Sequence, residues 1–259
     1  MTILEPIEHT NRDFVGSLAK GLKVLAAFNA DADQMTVADV ARVTDMTRAG
    51  ARRLLLTLHA LGYVKSNGKT YSLTPKVLEL GFSYLSSQSW LSIASPMLEQ
   101  LRDELDESVS VTVLEHTEVV YVARFQVDRV MTMSMDIGAR KPAFCTAMGR
   151  VLLGVLPENQ ATAILAASDI RQYTDQTVTD IAAIMQSIRQ AQSDGFALIN
   201  RELENSLVAI SVPLKNYHGE TLAAVNVCGH PSSLSIEDLQ SRCLHALQNT
   251  SRRISQMLV

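Results

Sequence analysis

Apolar residues return every three or four positions from Phe14 to Phe28: Phe14, Leu18, Leu22, Leu25 and Phe28 share one face and predict an amphipathic helix. Polar "DADQ" ends it. Thr36 then precedes Val37, Val40 and Ala41, with Asp39 placed to cap the free amides of a short second helix that stops near Asp45. Thr47 caps a third helix, whose inward stripe is Ala51, Leu54, Leu55, Leu58 and Leu61. Its outward side carries Ala49, Arg52, Arg53 and Leu56, and Gly62 is placed to end it. Two short runs of strand formers flank Asn67-Gly68, the pair that favours a two-residue hairpin turn. Thr74-Pro75 opens a fourth helix through Val77, Leu78, Phe82 and Leu85, and "SSQSW" reads as a joint near residue 88.

Beyond the joint the period changes. Trp90 to Leu105 keeps the helical spacing, but "SVSVTVL" alternates apolar with polar, turns at "HTE" and returns as "VVYVARF", a hairpin. "MTMSMDIGARKPAF" reads as a strand running into a loop, and "TAMGRVLLGVL" as a helix capped by Thr146. Helices follow near 158–167 and 179–193. "FALIN", "LVAISVPLK" and "TLAAVNVCG" are strands, and residues 235–257 close as a helix. The fold class expected is α+β: an N-terminal winged helix-turn-helix domain (1–74), a linker helix (75–88) and a C-terminal domain (89–259) with helices on an antiparallel sheet.

Charge sharpens this division. The chain of 259 residues has a formal net charge of −4. Yet residues 1–87 hold 10 Lys/Arg against 8 Asp/Glu, while the remainder holds 13 against 19. The three cysteines are far apart and no His/Cys cluster has zinc-ligand spacing, so reduced thiols, no metal and no cofactor are expected. The N-terminus is acidic and lacks the apolar core of a signal peptide, and no run has the length of a membrane span. A cytoplasmic protein is the expectation.

The basic charge gathers around the third helix and the hairpin. A helix entering a major groove needs an apolar back, small residues near its leading end and long donors beyond them. Thr47, Arg48, Ala49, Gly50, Arg52 and Arg53 meet that need, with Lys65 and Lys69 flanking a wing tip. Gly50 costs about 1 kcal/mol of helix stability against alanine, which is easier to understand if its missing side chain admits a partner. The competing readings are a solvated basic face and a winged helix that binds protein.

The order of helix, helix-turn-helix, Gly62-Tyr63-Val64 and hairpin resembles the IclR-type transcriptional regulators. "GARKPAFCTAMGRVLL" and "NRELENSLVAISVPLKNYHGETLAAVNVCG" extend the resemblance over residues 14–255. It implies a dimer or tetramer that binds a near-palindromic double-stranded operator, modulated by a small organic molecule in a GAF-like effector-binding domain. "SMDIGARKPAF" and "RELE…AISVPL" are similar to the Pca/Pob-type subgroup, which implies a small aromatic acid such as protocatechuate or 4-hydroxybenzoate. The chain departs from the subgroup where Gly-Leu-Arg-Ser is expected and Ser206-Leu207-Val208-Ala209 stands instead.

The effector residues expected are Met133, Arg140, Cys145, Thr146, Ala147, Met148, Asn200, Glu202, Asn226 and Cys228. Met131, Met133 and Met135 alternate on one strand face, as a pocket for an aromatic ring or as ordinary core. The first amides after Thr146 suit a carboxylate. Arg140 is either a bidentate partner for an acid or a solvated loop charge. Glu202 and Glu204 either accept ring hydroxyls or cap a turn. Asn226, on a strand apolar on both sides, must find a hydrogen-bond partner in a ligand or a neighbouring backbone group. An enzyme with Cys145 as nucleophile is the remaining alternative; it lacks a histidine in any recognisable motif.

Overall fold

The computed structural model describes residues 13–29, 31–127 and 136–258. The chain divides into two compact units, Met1–Ser87 and Gln88–Val259.

In the first unit, helix α1 is Gly16–Ala26, α2 Val37–Thr44 and α3 Arg48–Ala60. Thr36 and Asp39 form a reciprocal capping box at α2, and Thr47 accepts the Gly50 amide at α3. Asp45, in the left-handed conformation, ends α2 and makes the turn tight. Gly62 follows α3 with φ +81°, a geometry that strains any residue bearing a Cβ. The core is Val24, Phe28, Met35, Val40, Ala41, Ala51, Leu55, Leu58 and Val64. Three expected core positions are not in it. Leu18, Leu22 and Leu61 are more than half exposed, because they line a groove that the single chain leaves open.

Strands β1 (Val64–Ser66) and β2 (Tyr71–Leu73) pair antiparallel, with Ser66 opposite Tyr71. The reversal is not the two-residue turn on Asn67-Gly68. Asn67 Oδ1 accepts the Lys69 and Thr70 amides at 3.0 and 2.8 Å, which moves the turn one residue on, to Gly68-Lys69. A short 3-10 turn, Pro75–Val77, leads into α4, Leu78–Ser87.

The second unit opens with α5 (Ser89–Leu105). Its sheet is β3 (Val109–Glu115), β4 (Glu118–Phe125), β5 (Arg140–Pro142), β6 (Ala197–Asn200), β7 (Val208–Lys215) and β8 (Thr221–Gly229). The strand order is β5-β4-β3-β8-β7-β6, and every neighbouring pair is antiparallel. Helices α6 (Ala147–Gly154), α7 (Glu158–Ala167) and α8 (Ile181–Asp194) form a cluster with Tyr121, Ala209 and Ala224 and so cover one face. Against the other lie α5 and the closing helix: α9 (Ile236–Asp238), a π-type turn (Leu239–Cys243) and α10 (Leu244–Met257). Covered on both sides, β7 and β8 are buried over most of their length. The α+β architecture is the one expected.

One glycine decides where the site forms. Gly149 lies so close to the Ala143 backbone that no Cβ fits between them. The chain therefore folds under the start of α6, and Cys145 and Thr146 reach the sheet.

Candidate functional site

Two features have the makings of sites, one in each unit. In the first unit, Thr47, Arg48, Ala49, Arg52, Arg53, Lys65 and Lys69 are all exposed. None of the five cations makes an ion pair among the described residues, so their charges are free to meet an anion. Leu56, exposed at 41%, sits among them. Gly50 is placed differently. It and Arg53 border an apolar groove between α3 and α1, together with Leu18, Leu22, Leu54, Leu61 and, from α4, Leu80. An added methyl at Gly50 would meet the capping hydroxyl of Thr47 at 3.2 Å.

In the second unit, a narrow cavity of about 20 Å³ lies between α6 and the sheet. That is room for one water molecule. Its walls are Cys145, Thr146, Ala147 and Met148 at the start of α6, Asn226 and Cys228 on β8, Tyr121 on β4, and Ile199, Leu203, Leu207 and Ala209. Six expected residues, Cys145, Thr146, Ala147, Met148, Asn226 and Cys228, are thus brought together. Sequence reasoning did not single out Tyr121, Ile199 or Leu203.

The polar inventory is small and directional. The Thr146 hydroxyl accepts the Gly149 amide at 3.2 Å and its carbonyl accepts that of Arg150 at 3.0 Å. The Ala147 and Met148 amides have no acceptor among the described residues, and the helix dipole adds partial positive charge there. Asn226 is 1% exposed, and its Oδ1 has no hydrogen-bond partner. A buried carbonyl left unpaired costs about 1–3 kcal/mol, so this atom is poised for a partner.

Four expected residues are not on the walls. Arg140 is on edge strand β5, 2.7 Å from Glu118, where the antiparallel β4–β5 register brings the two chains side by side. Asn200 ends β6 with its side chain exposed. Glu202 is buried but committed: its Oε2 accepts Arg150 at 2.7 Å and the Val178 amide at 3.4 Å. That pair ties the loop carrying Leu203 and Leu207 to α6, which makes Glu202 a support behind the cavity. Met133, with Met131 and Met135, falls outside the described residues.

The position where the subgroup pattern has arginine is Val208, which pairs with Gly229 on the side of the sheet away from the cavity. Ala209, where the pattern has serine, faces the cavity across from Cys228. The departure therefore removes a hydroxyl from the wall.

The thiols are inert. Burial pushes Cys145 up to about 12, with the nearby Glu202 carboxylate adding to the effect. Burial likewise raises Cys228, opposed by Arg124 and by a hydrogen bond from Asn226. A thiol nucleophile must ionise, and no histidine lines the cavity. Among the described residues no group of three or more His, Cys, Asp or Glu could hold a metal. No helix among them is long and apolar enough to cross a membrane.

Comparison with known proteins finds two matching family domains. Residues 17–68 match the IclR helix-turn-helix domain, and residues 82–256 match the bacterial transcriptional regulator IclR C-terminal domain. The Pca regulon regulatory protein of Pseudomonas putida is 37% identical over 95% of this chain and 85% of its own length. A solved structure from Rhodococcus sp. RHA1, assigned as a transcriptional regulator, is 44% identical with a TM-score of 0.83, covering 95% of this chain and 98% of that one. The inducer-binding domain of the Acinetobacter transcription factor PobR, solved as a double mutant in complex with 3-hydroxybenzoic acid, is 29% identical. That match has a TM-score of 0.61 and covers 64% of this chain and 97% of that domain.

Proposed function

The chain belongs to the IclR family of bacterial transcriptional regulators, and from that premise we propose that its DNA binding is controlled by a small aromatic acid of the protocatechuate or 4-hydroxybenzoate type. Residues 1–74 are the DNA-binding part, 75–88 the linker helix and 89–259 the effector-binding part, working in the cytoplasm on an operator. Members of the family are regulators, not enzymes.

The observation that carries the effector reading is the buried, unpaired Asn226 Oδ1 in a cavity that also holds the free amides of α6. Donors at one end and an acceptor at the other suit a flat acid with a polar substituent. The PobR domain's hydroxybenzoic acid is a ligand of that kind. At about 20 Å³ the cavity must widen to admit one. The acid therefore binds a widened arrangement better than this one, and that difference in affinity is what makes it an effector.

The exposed cations of α3 and the hairpin take the DNA. The apolar groove of Leu18, Leu22, Leu61 and Leu80 is the surface by which two copies associate, as a palindromic operator requires. A second reading, a different small carboxylic acid, draws on Ala209, which removes the hydroxyl that the aromatic-acid subgroup pattern has there.

Asn226→Leu tests the cavity. It should leave operator affinity within twofold and abolish the shift that the acid produces in a binding titration. A variant that still responds to the acid with the wild-type midpoint would place the effector elsewhere.

A further inference from the structure

Thr112 lies in an alternating strand, where a threonine ordinarily faces water. Here it is fully buried, and its Oγ1 has no hydrogen-bond partner. Its position connects it to the cavity. In the β3–β8 register Ser110 is opposite Asn226 and Thr112 opposite Ala224. Thr112 and Asn226 are therefore diagonal neighbours on the face that α6 covers, their Cα atoms about 7–8 Å apart. On its other side Thr112 is directly opposite Tyr121 of β4. Tyr121 and Asn226 both line the cavity, and Thr112, beside each of them in the sheet, lies just behind that lining.

The two unpaired atoms are complementary. A threonine hydroxyl donates one hydrogen bond and accepts others. Asn226 Oδ1, a carbonyl oxygen, only accepts. A hydroxyl group satisfies both at once, donating to Asn226 and accepting from Thr112. A carboxylate only accepts, and would set its oxygen against that of Asn226. The Ala147 and Met148 amides only donate, and so prefer the carboxylate.

Resting on the effector reading above, we infer that Thr112 and Asn226 form a hydroxyl subsite, so that the effector is a hydroxylated aromatic acid bound with its carboxylate at α6 and a ring hydroxyl at the sheet. A buried water bridging the two residues is the competing occupant.

Calorimetric titration of the full-length protein with 4-hydroxybenzoate and with benzoate tests this. Wild type should prefer the hydroxylated acid at least a hundredfold, because a site built to bond a hydroxyl rejects the analogue without it. Thr112→Val keeps the shape and removes the hydroxyl. It should cut that preference at least tenfold by weakening 4-hydroxybenzoate alone, and Thr112→Ser should restore it. If Thr112→Val weakens both acids equally, or neither, the residues hold a water or serve only the fold, and the subsite is refuted. If wild type binds both acids but shows no preference, the subsite also falls while the effector reading survives. If wild type binds neither, the effector reading itself falls and takes the subsite with it. The unfolding temperature of each variant confirms that it is folded.

Discussion

Replacing Gly149 by alanine should close the cavity from behind. In an ordinary helix interior the change would stabilise by up to about 1 kcal/mol. Here the new methyl carbon would lie 2.5 Å from the Ala143 carbonyl carbon, with the oxygen and Cα nearer still, where ordinary contacts begin at 3.4 Å. The obstacle is backbone, so the segment from Ala143 to Thr146 must retreat by roughly an ångström or α6 must lift; overpacking of this kind costs about 1–3 kcal/mol. Retreat also loosens the Thr146 cap, whose hydroxyl holds the Gly149 amide at 3.2 Å, and loss of a cap costs about 0.5–2 kcal/mol. The helix-propensity gain of about 1 kcal/mol offsets part of this, leaving a net loss of about 0.5–4 kcal/mol. The only tryptophan, Trp90, belongs to the same unit as α6, so its fluorescence during urea unfolding reports the relevant transition. The midpoint should fall, and acid binding should weaken with it, because Cys145 and Thr146 shift. A variant as stable as wild type, binding the acid with unchanged affinity, would refute the claim that this close approach builds the site.

Arg52→Ala should weaken operator binding by about 1–3 kcal/mol and relax base preference if the side chain reads a base edge; an equal loss on every DNA sequence would make it a phosphate contact. Leu22→Asp puts a charge in the apolar groove beside α1 and should shift the protein from dimer towards monomer in sedimentation. A monomeric wild type, or a dimer that ignores the substitution, would remove the groove from the assembly.

The winged helix was legible because its signals are local. Caps at Thr36 and Thr47, the period of α3 and the breaks at Asp45 and Gly62 each lie within a few residues of what they control. Periodicity shows that a face is apolar but not what covers it, so it points Leu18, Leu22 and Leu61 to the core although they are exposed in the single chain. Long-range pairing was out of reach for the same reason. Arg140 and Glu202 are charged residues in a promising neighbourhood, and only the fold brings Glu118 to one and Arg150 to the other. Thr112 is the opposite case. "SVSVTVL" reads as half-buried, and its threonine faces inward only because α6 covers the sheet's second side. The start of α6 and Asn226 were found because a helix cap and a polar residue in an apolar strand are visible in one dimension.

The most direct measurement is fluorescence anisotropy of the purified protein on the DNA upstream of its own gene, titrated with protocatechuate and 4-hydroxybenzoate at several salt concentrations. Specific binding should weaken steeply with salt, as phosphate contacts require, and one of the acids should move its midpoint. Binding indifferent to both acids, or no specific binding at all, would contradict effector control of DNA binding.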